Sequence, residues 1–321
     1  MEIIFLGTSA GKPTRTRNLS AIAVKPIDSK DWCLVDCGEG TQYRILNSNL
    51  SLSRLKTILI THVHGDHVYG LPGLLGTAAM DGRQNELDLV APINVIKFIV
   101  SALENTFMHL TYKLNFIPIE ELKDELSFGD IKIKIVKLSH GVDSYAFVFT
   151  REIIKRKLNI EKLKEDNVPQ GPLWGKLQNE QNVEINGKIF FSKDYLNKIF
   201  INKNTIICGD NDNPKMLDKV IKGTDILVHE ATFTSDADSE LLEVSGHCTA
   251  ENIAKYAEEK KVPNLILTHF SSRYADVAVD SNKNSIKDIE EEAKKFYKGS
   301  LYLANDNVIY LLNDDKILEK K

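Results

Sequence analysis

A layered α/β fold built from two similar halves is predicted by three features of this 321-residue sequence. Short apolar runs alternate with helix-period stretches over the first 150 residues. The same style returns from Thr205 onward, and a polar stretch of different character, Arg151–Ile201, separates the two. In order, strands are expected at Glu2–Leu6, Ala21–Val24, Cys33–Asp36, Thr57–Thr61 and Leu87–Val90. Val95–Glu104 has the spacing of an amphipathic helix, and Ile131–Leu138 and Tyr145–Thr150 read as paired strands. In the second half, strands Thr205–Cys208, Asp225–Val228, Asn264–Thr268, Leu301–Leu303 and Val308–Leu312 accompany helices Thr249–Lys260 and Ile286–Phe296.

The intervening segment is rich in Lys, Asn and Gln and is broken by the turn-like Val168-Pro169-Gln170-Gly171-Pro172. It reads as an insertion projecting from the core. Its first stretch, Arg151 to Lys164, holds six basic residues against two acidic ones. From charge patterning alone, a solvated helix face is the plainer reading of that stretch.

Hydrophobic residues at 42% and charged residues at 27% suit an ordinary globular protein with material for a sizeable core. A formal charge of −4 carries no general nucleic-acid signature, so a polyanion has to be met by a local basic surface or by metal ions. Cys33, Cys37, Cys208 and Cys248 lie far apart without a C-x-x-C pair, which argues against a disulfide framework or a thiolate zinc knuckle. Buried, reduced thiols are expected. Met1 to Leu6 begins at once as a strand-like run, without the regions of a signal peptide, and no apolar run reaches the ~18 residues of a membrane span. No membrane association and a cytoplasmic enzyme are the simplest placement.

Chemistry concentrates in Thr61-His62-Val63-His64-Gly65-Asp66-His67, where a strand runs out into an expected loop and four potential ligands fall within six residues. Gly65 is expected to permit a tight turn there. Three His and one Asp packed so closely are costly to satisfy without a cation. Beyond later strands stand His140, Asp210 and His269. Together these make seven ligands, more than the four a tetrahedral zinc accepts, so two metal ions are implied. Imidazole and carboxylate chemistry fits Zn2+ best, and Mn2+ or another divalent ion suits the same ligands.

The H-x-H-x-D-H pattern resembles the signature of metallo-β-lactamase-fold hydrolases, whose four-layer αββα sandwich matches the two inferred halves. By that resemblance His62, His64 and His140 hold one zinc, Asp66, His67 and His269 the other, and Asp210 bridges. Two such cations activate a water for attack and neutralise charge on phosphoryl oxygens, so the implied chemistry is hydrolysis.

Further motifs resemble the tRNase Z (ribonuclease Z) branch from end to end. They are Phe5-Leu6-Gly7-Thr8-Ser9-Ala10-Gly11 with Pro13-Thr14-Arg15-Thr16-Arg17-Asn18, Asp36-Cys37-Gly38-Glu39-Gly40-Thr41-Gln42, and Gly70-Leu71-Pro72-Gly73-Leu74-Leu75. His229-Glu230-Ala231-Thr232-Phe233, Gly246-His247-Cys248-Thr249, Ser271-Ser272-Arg273-Tyr274 and Ala304-Asn305-Asp306 extend the match. The resemblance implies a single domain over residues 1–321 and, at 151–201, an arm that grips precursor tRNA through its Gly171-Pro172 element. It also implies removal of the tRNA 3′ trailer, two zinc ions per subunit and a homodimer. Asp66 is then both ligand and proton acceptor, Glu230 orients His247 and keeps it protonated, and His247 donates to the departing 3′ oxygen. His229 is expected around the metal site rather than on the metal. Arg15 and Arg17 are expected on acceptor-stem phosphates, where the family senses a CCA end, and Arg273 is a further substrate candidate.

Two positions depart from the family pattern. Its usual Gly-Asp-Thr is here Gly209-Asp210-Asn211, and its His-Ser-Thr is His247-Cys248-Thr249. Asn211 is expected to alter hydrogen bonding round the bridging carboxylate and to tune metal occupancy, and Cys248 to be a buried, inert thiol. Two other readings stay open at this level. One is another dinuclear-zinc hydrolase or phosphodiesterase of the same fold, and the other is a relative that binds RNA without cutting it.

Overall fold

The computed structural model describes residues 1–122, 125–276, 284–313 and 316–321, with the backbone alone for Leu241 and Glu243. The chain divides into two compact units, residues 1–150 with 204–321, and residues 151–203.

In the larger unit one sheet orders its strands Leu318–Lys320, Ile309–Leu312, Glu2–Gly7, Ala21–Lys25, Trp32–Val35, Leu55–Leu59, Leu87–Ala91 and Leu114–Pro118. The second runs Ser300–Leu303, Asn264–Thr268, Ile226–Glu230, Leu196–Cys208, Tyr145–Leu158, Ile131–Lys137 and Leu126–Phe128. Within each sheet the strands nearest the chemistry are parallel: Trp32–Val35, Leu55–Leu59 and Leu87–Ala91 in the first, and Thr205–Ile207, Ile226–Glu230 and Asn264–Thr268 in the second. Trp32–Val35, Ile226–Glu230 and Asn264–Thr268 are buried at every position, as apolar runs covered on both faces must be.

Those faces define four layers. Phe5, Val24, Val35, Leu59 and Val90 meet Phe147, Phe149, Ile207, Val228 and Ile266 in the core between the sheets. Outside the first sheet, Ile45, Leu74, Leu75, Ile96 and Ile99 bring in helices Thr41–Leu46, Leu71–Met80 and Ile93–Asn105. Outside the second, Ile253, Ala257, Ile289 and Ala293 bring in Ala250–Glu259 and Ile286–Phe296. Thr249 caps the first of this pair by accepting from the Asn252 amide at 3.2 Å, a contact worth about 1 kcal/mol. Ser285 and Asp288 form a capping box on the second. The αββα sandwich expected from the sequence is the fold.

Element boundaries differ from expectation in two instructive places. Residues 151–158 and 196–203 are strand, belonging to Tyr145–Leu158 and Leu196–Cys208 where Tyr145–Thr150 and Thr205–Cys208 were expected, so most of the basic stretch is not a helix face. In the small unit, Leu163, Val168, Leu177, Val183, Phe190 and Tyr195 make a core of their own beneath helices Ile160–Glu165 and Pro172–Gln178. Its hairpin, Val183–Ile185 with Lys188–Phe190, turns at Asn186-Gly187 with both φ positive (52° and 78°), the Asn-Gly choice that a tight hairpin favours. All four cysteines are buried and free, and burial pushes the Cys248 thiol well above its ordinary range. Among the described residues no helix is long and apolar enough to cross a membrane.

Candidate metal centre

Carboxyl ends of parallel strands are where ligands collect in open α/β sheets, and both sheets deliver side chains there. From the second, Glu230 ends its strand, Asp210 lies two residues past Cys208, and His269 follows Thr268. From the first, Asp36 follows Val35, and His62 and His64 follow Leu59. Asp66 and His67 sit not in a loop, as expected, but on the first turn of a short helix, Gly65–Val68. Gly65 is not at a positive φ, and a Cβ there would meet the Tyr69 ring at 2.2 Å, an exposed side chain free to swing aside. Asp36 and His269 adopt left-handed backbone (φ 60° and 58°), conformations that non-glycine residues keep at a cost.

The seven predicted ligands converge into two groups. His62, His64, His140 and Asp210 form one, and Asp66, His67 and His269 the other. His62 Nε2 is 3.1 Å from His64 Nδ1, which is 3.3 Å from His140 Nε2. Asp210 Oδ2 stands 3.6 Å from His62 Nε2 and 3.8 Å from His140 Nε2. In the second group, His67 Nε2 and His269 Nε2 are 3.3 Å apart, and each is 3.5 Å from Asp210 Oδ1. Asp66 Oδ2 lies 3.6 Å and 3.4 Å from the same two nitrogens. Metal–ligand bonds of ~2.0–2.1 Å give tetrahedron edges of about 3.3 Å, so the spacing of these donors fits divalent metal binding, with Asp210 facing both groups.

Hydrogen bonding behind the rings sets their lone pairs. His67 Nδ1 donates to Asp36 Oδ2 at 2.7 Å, and His140 Nδ1 to the Gly246 carbonyl at 2.8 Å. Thr61 Oγ1 gives its proton to Asp36 and accepts from His62 Nδ1 at 3.0 Å. Thr232 Oγ1 gives its proton to Glu230 and accepts from His269 Nδ1 at 3.2 Å. Four imidazoles thus carry their proton on Nδ1 and aim a bare Nε2 inward, the arrangement that metal-binding histidines need. In the field of the protein groups alone, burial works against charge on His67, yet Asp210 and Asp36 lift it to about 10. A bound cation would take the place of that proton. Burial and the neighbouring imidazoles hold His62 well below its ordinary value. His269 and His67 hold Asp66 ionised against its burial, and the Gly11 amide donates to its Oδ2 at 2.7 Å.

Beside this centre, His247 Nδ1 donates to Glu230 Oε2 at 2.9 Å. Burial disfavours the imidazolium, but the Glu230 carboxylate raises it to about 9. Glu230 is itself held ionised in a buried position by His247 and Thr232. His229 stays off the cluster, its Nδ1 on the Glu230 carbonyl at 2.8 Å and its Nε2 against Asn211 at 2.9 Å.

The 42% identity over 320 residues to a ribonuclease Z of Pseudomonas putida (strain GB-1), spanning 99% of each chain, decides the family. This chain belongs to the ribonuclease Z family. Human tRNase Z, short form, superposes with a TM-score of 0.64 at 23% identity over 98% of this chain and 100% of that one. The metallo-beta-lactamase fold protein YhfI of Bacillus subtilis gives 0.65 at 16% identity over 96% and 98%. Both likenesses concern the fold. Models for anti-Pycsar protein Apyc1 and phage tail ring protein 2 match residues 1–159 and 218–321 respectively, each less than half of the chain.

Among the substrate residues expected from ribonuclease Z motifs, Arg15 and Arg273 are exposed. Arg17 is placed otherwise. It is 4% exposed, donates from Nε to Asp276 at 2.7 Å, from Nη1 to Thr8 and the Ala304 carbonyl, and from Nη2 to Asn305, and it stacks over Phe270. With all its nitrogens engaged within the protein, Arg17 ties the Thr8–Asn18 loop to the Ala304–Asp306 turn instead of facing phosphate. Gly171 and Pro172 are exposed in the small unit, where they open helix Pro172–Gln178. Sequence reasoning missed Thr61, Thr232 and Gly246 and gave Asp36 no role. A buried Asp directly after an apolar strand is the signal that finds Asp36.

Proposed function

We infer that this ribonuclease Z is a metal-dependent endoribonuclease that cuts precursor tRNA at its 3′ end, releasing the 3′ trailer and leaving a 3′-hydroxyl on the tRNA. The observation that carries the reading is the set of five imidazoles, four of them oriented through Nδ1, and two carboxylates beside a Glu230–His247 pair, in a chain of this family. His62, His64, His140 and Asp210 would hold one Zn2+, and Asp66, His67, His269 and Asp210 the second; Mn2+ suits the same donors. When bound, such a pair neutralises phosphoryl charge and activates water.

This chain's own groups supply the proton transfers. Asp66, kept ionised, takes a proton from the attacking water as the new P–O bond forms. His247, kept protonated by Glu230, places its Nε2 proton on the O3′ that departs as the old P–O bond breaks. The tRNA leaves with a hydroxyl and the trailer with a 5′-phosphate. Arg15 and Arg273 are assigned to substrate phosphates, and residues 151–201, with Gly171 and Pro172, to the body of the tRNA. A cytoplasmic homodimer completes the reading.

The test is incubation of Zn2+-loaded protein and a His64→Ala variant with 3′-extended precursor tRNA, with product ends mapped at nucleotide resolution. A single cut at the discriminator nucleotide or after CCA, absent in the variant, is expected. Tight binding without cleavage points instead to an RNA-binding relative, and neither binding nor cleavage to another hydrolase of this fold.

A further inference from the structure

Asn211 stands where three parts of the site meet, and it is fully buried. Its backbone amide donates to Glu230 Oε1 at 2.7 Å. Its side-chain oxygen accepts from the Ser139 amide at 3.2 Å, and its side-chain nitrogen lies 2.9 Å from His229 Nε2. The orientation of the carboxamide follows from chemistry: a backbone N–H can only donate, so the Asn211 carbonyl must face Ser139 and its NH2 must face His229. His229 Nε2 is therefore the acceptor, which puts the His229 proton on Nδ1, where the Glu230 carbonyl takes it at 2.8 Å. The contact with Ser139 is reinforced by the Asp212 amide, which donates to the Ser139 carbonyl at 2.9 Å.

Each partner adjoins a working residue. Ser139 precedes His140 in the chain, Asn211 follows Asp210, and Glu230 orients His247. His140 is steered from its other side by the Gly246 carbonyl. Its loop is thus fixed at two points, one beside the proton donor and one through Asn211.

We propose that Asn211 is a positioning residue that locks the His140 loop to the end of the Ile226–Glu230 strand and thereby sets the affinity of the His62, His64, His140 group for its cation. The inference rests on the metal-dependent reading above but not on the identity of the RNA. A threonine hydroxyl offers both a donor and an acceptor, but from one atom on a shorter side chain, so it must lie within reach of Ser139 and His229 at once, where the asparagine carboxamide uses two separate atoms. The Asp66, His67, His269 group draws nothing from Ser139 and meets Asn211 only through the neighbouring Asp210, so the effect falls chiefly on the ion held by the first group.

The experiment is Zn2+ titration of the metal-stripped full chain against a chromogenic chelator, for the wild type, Asn211→Ala and Asn211→Thr. A His64→Ala variant marks which equivalent belongs to the first group. Asn211→Ala is expected to weaken that equivalent about 10- to 100-fold and the other less than roughly threefold, with Asn211→Thr in between. Unchanged binding in both variants overturns the proposal, and so does equal weakening of both equivalents, which marks general loosening of the fold. Selective weakening combined with a wild type that leaves precursor tRNA uncut supports the role of Asn211 while removing the functional reading.

Discussion

Replacing Glu230 by Gln tests how the acid of the reaction is kept charged. Three donors converge on the two Glu230 oxygens: the Asn211 amide, His247 Nδ1 and Thr232 Oγ1. Glutamine offers one oxygen and turns an NH2 toward at least one of those donors, which costs about 1–3 kcal/mol of stability. The larger effect falls on His247, whose ring loses the carboxylate that lifts it from 6.5 to about 9. Near pH 8 the protonated share then drops by roughly 30-fold, and the preference for the charged ring falls by about 3 kcal/mol. The sign follows from linkage. Because the folded value lies above the ordinary one, the stabilisation is complete below about 6.5 and is lost as pH rises through about 9. Single-turnover cleavage of precursor tRNA at saturating metal, followed from about pH 6 to 10, should show the basic limb of Glu230→Gln moved toward the ordinary histidine range. A limb that coincides with that of the wild type would refute the assignment, as would a His247→Ala variant that retains it.

Two further outcomes are expected. Arg17→Met removes a buried guanidinium from a partly buried ion pair with Asp276 and from Thr8, Ala304 and Asn305, and should destabilise the fold by about 2–4 kcal/mol in urea melts. A phosphate contact would instead leave the melt unchanged and flatten the salt dependence of tRNA binding. Replacing residues 160–195 with a short turn, which keeps both long strands, should lower kcat/KM for precursor tRNA by at least about 100-fold while sparing a small phosphodiester; equal loss on both substrates would count against a tRNA-binding arm.

The metal centre was legible because its signal is local: His62, His64, Asp66 and His67 crowd one hexapeptide, and each later ligand ends an apolar strand. What orients those ligands was not legible. A Gly246 carbonyl and the hydroxyls of Thr61 and Thr232 leave no mark in spacing, since their partners come from other strands. The long strands through residues 151–158 and 196–203 were hidden for another reason. Their outer halves carry Lys, Arg and Asn instead of a buried apolar face, so periodicity had nothing to register. Arg17 misled because an arginine among surface-type residues resembles a ligand-facing one, and burial beneath Asp276 and Asn305 is a tertiary fact.

Strand Glu2–Gly7 is flanked by Ala21–Lys25 and by Ile309–Leu312, and Thr8 and Asn18 are held by Asp306. The loop whose Gly11 amide secures Asp66 is therefore latched by residues made about three hundred positions later. A ribosome delivers some 5–20 residues each second, so for many seconds an emerging chain carries the His62-to-His67 cluster with neither His269 nor the latch. During synthesis the nascent polypeptide holds a partial ligand set and lacks the residues that latch the loop beside it, so the complete site is available only once nearly the whole chain has been made.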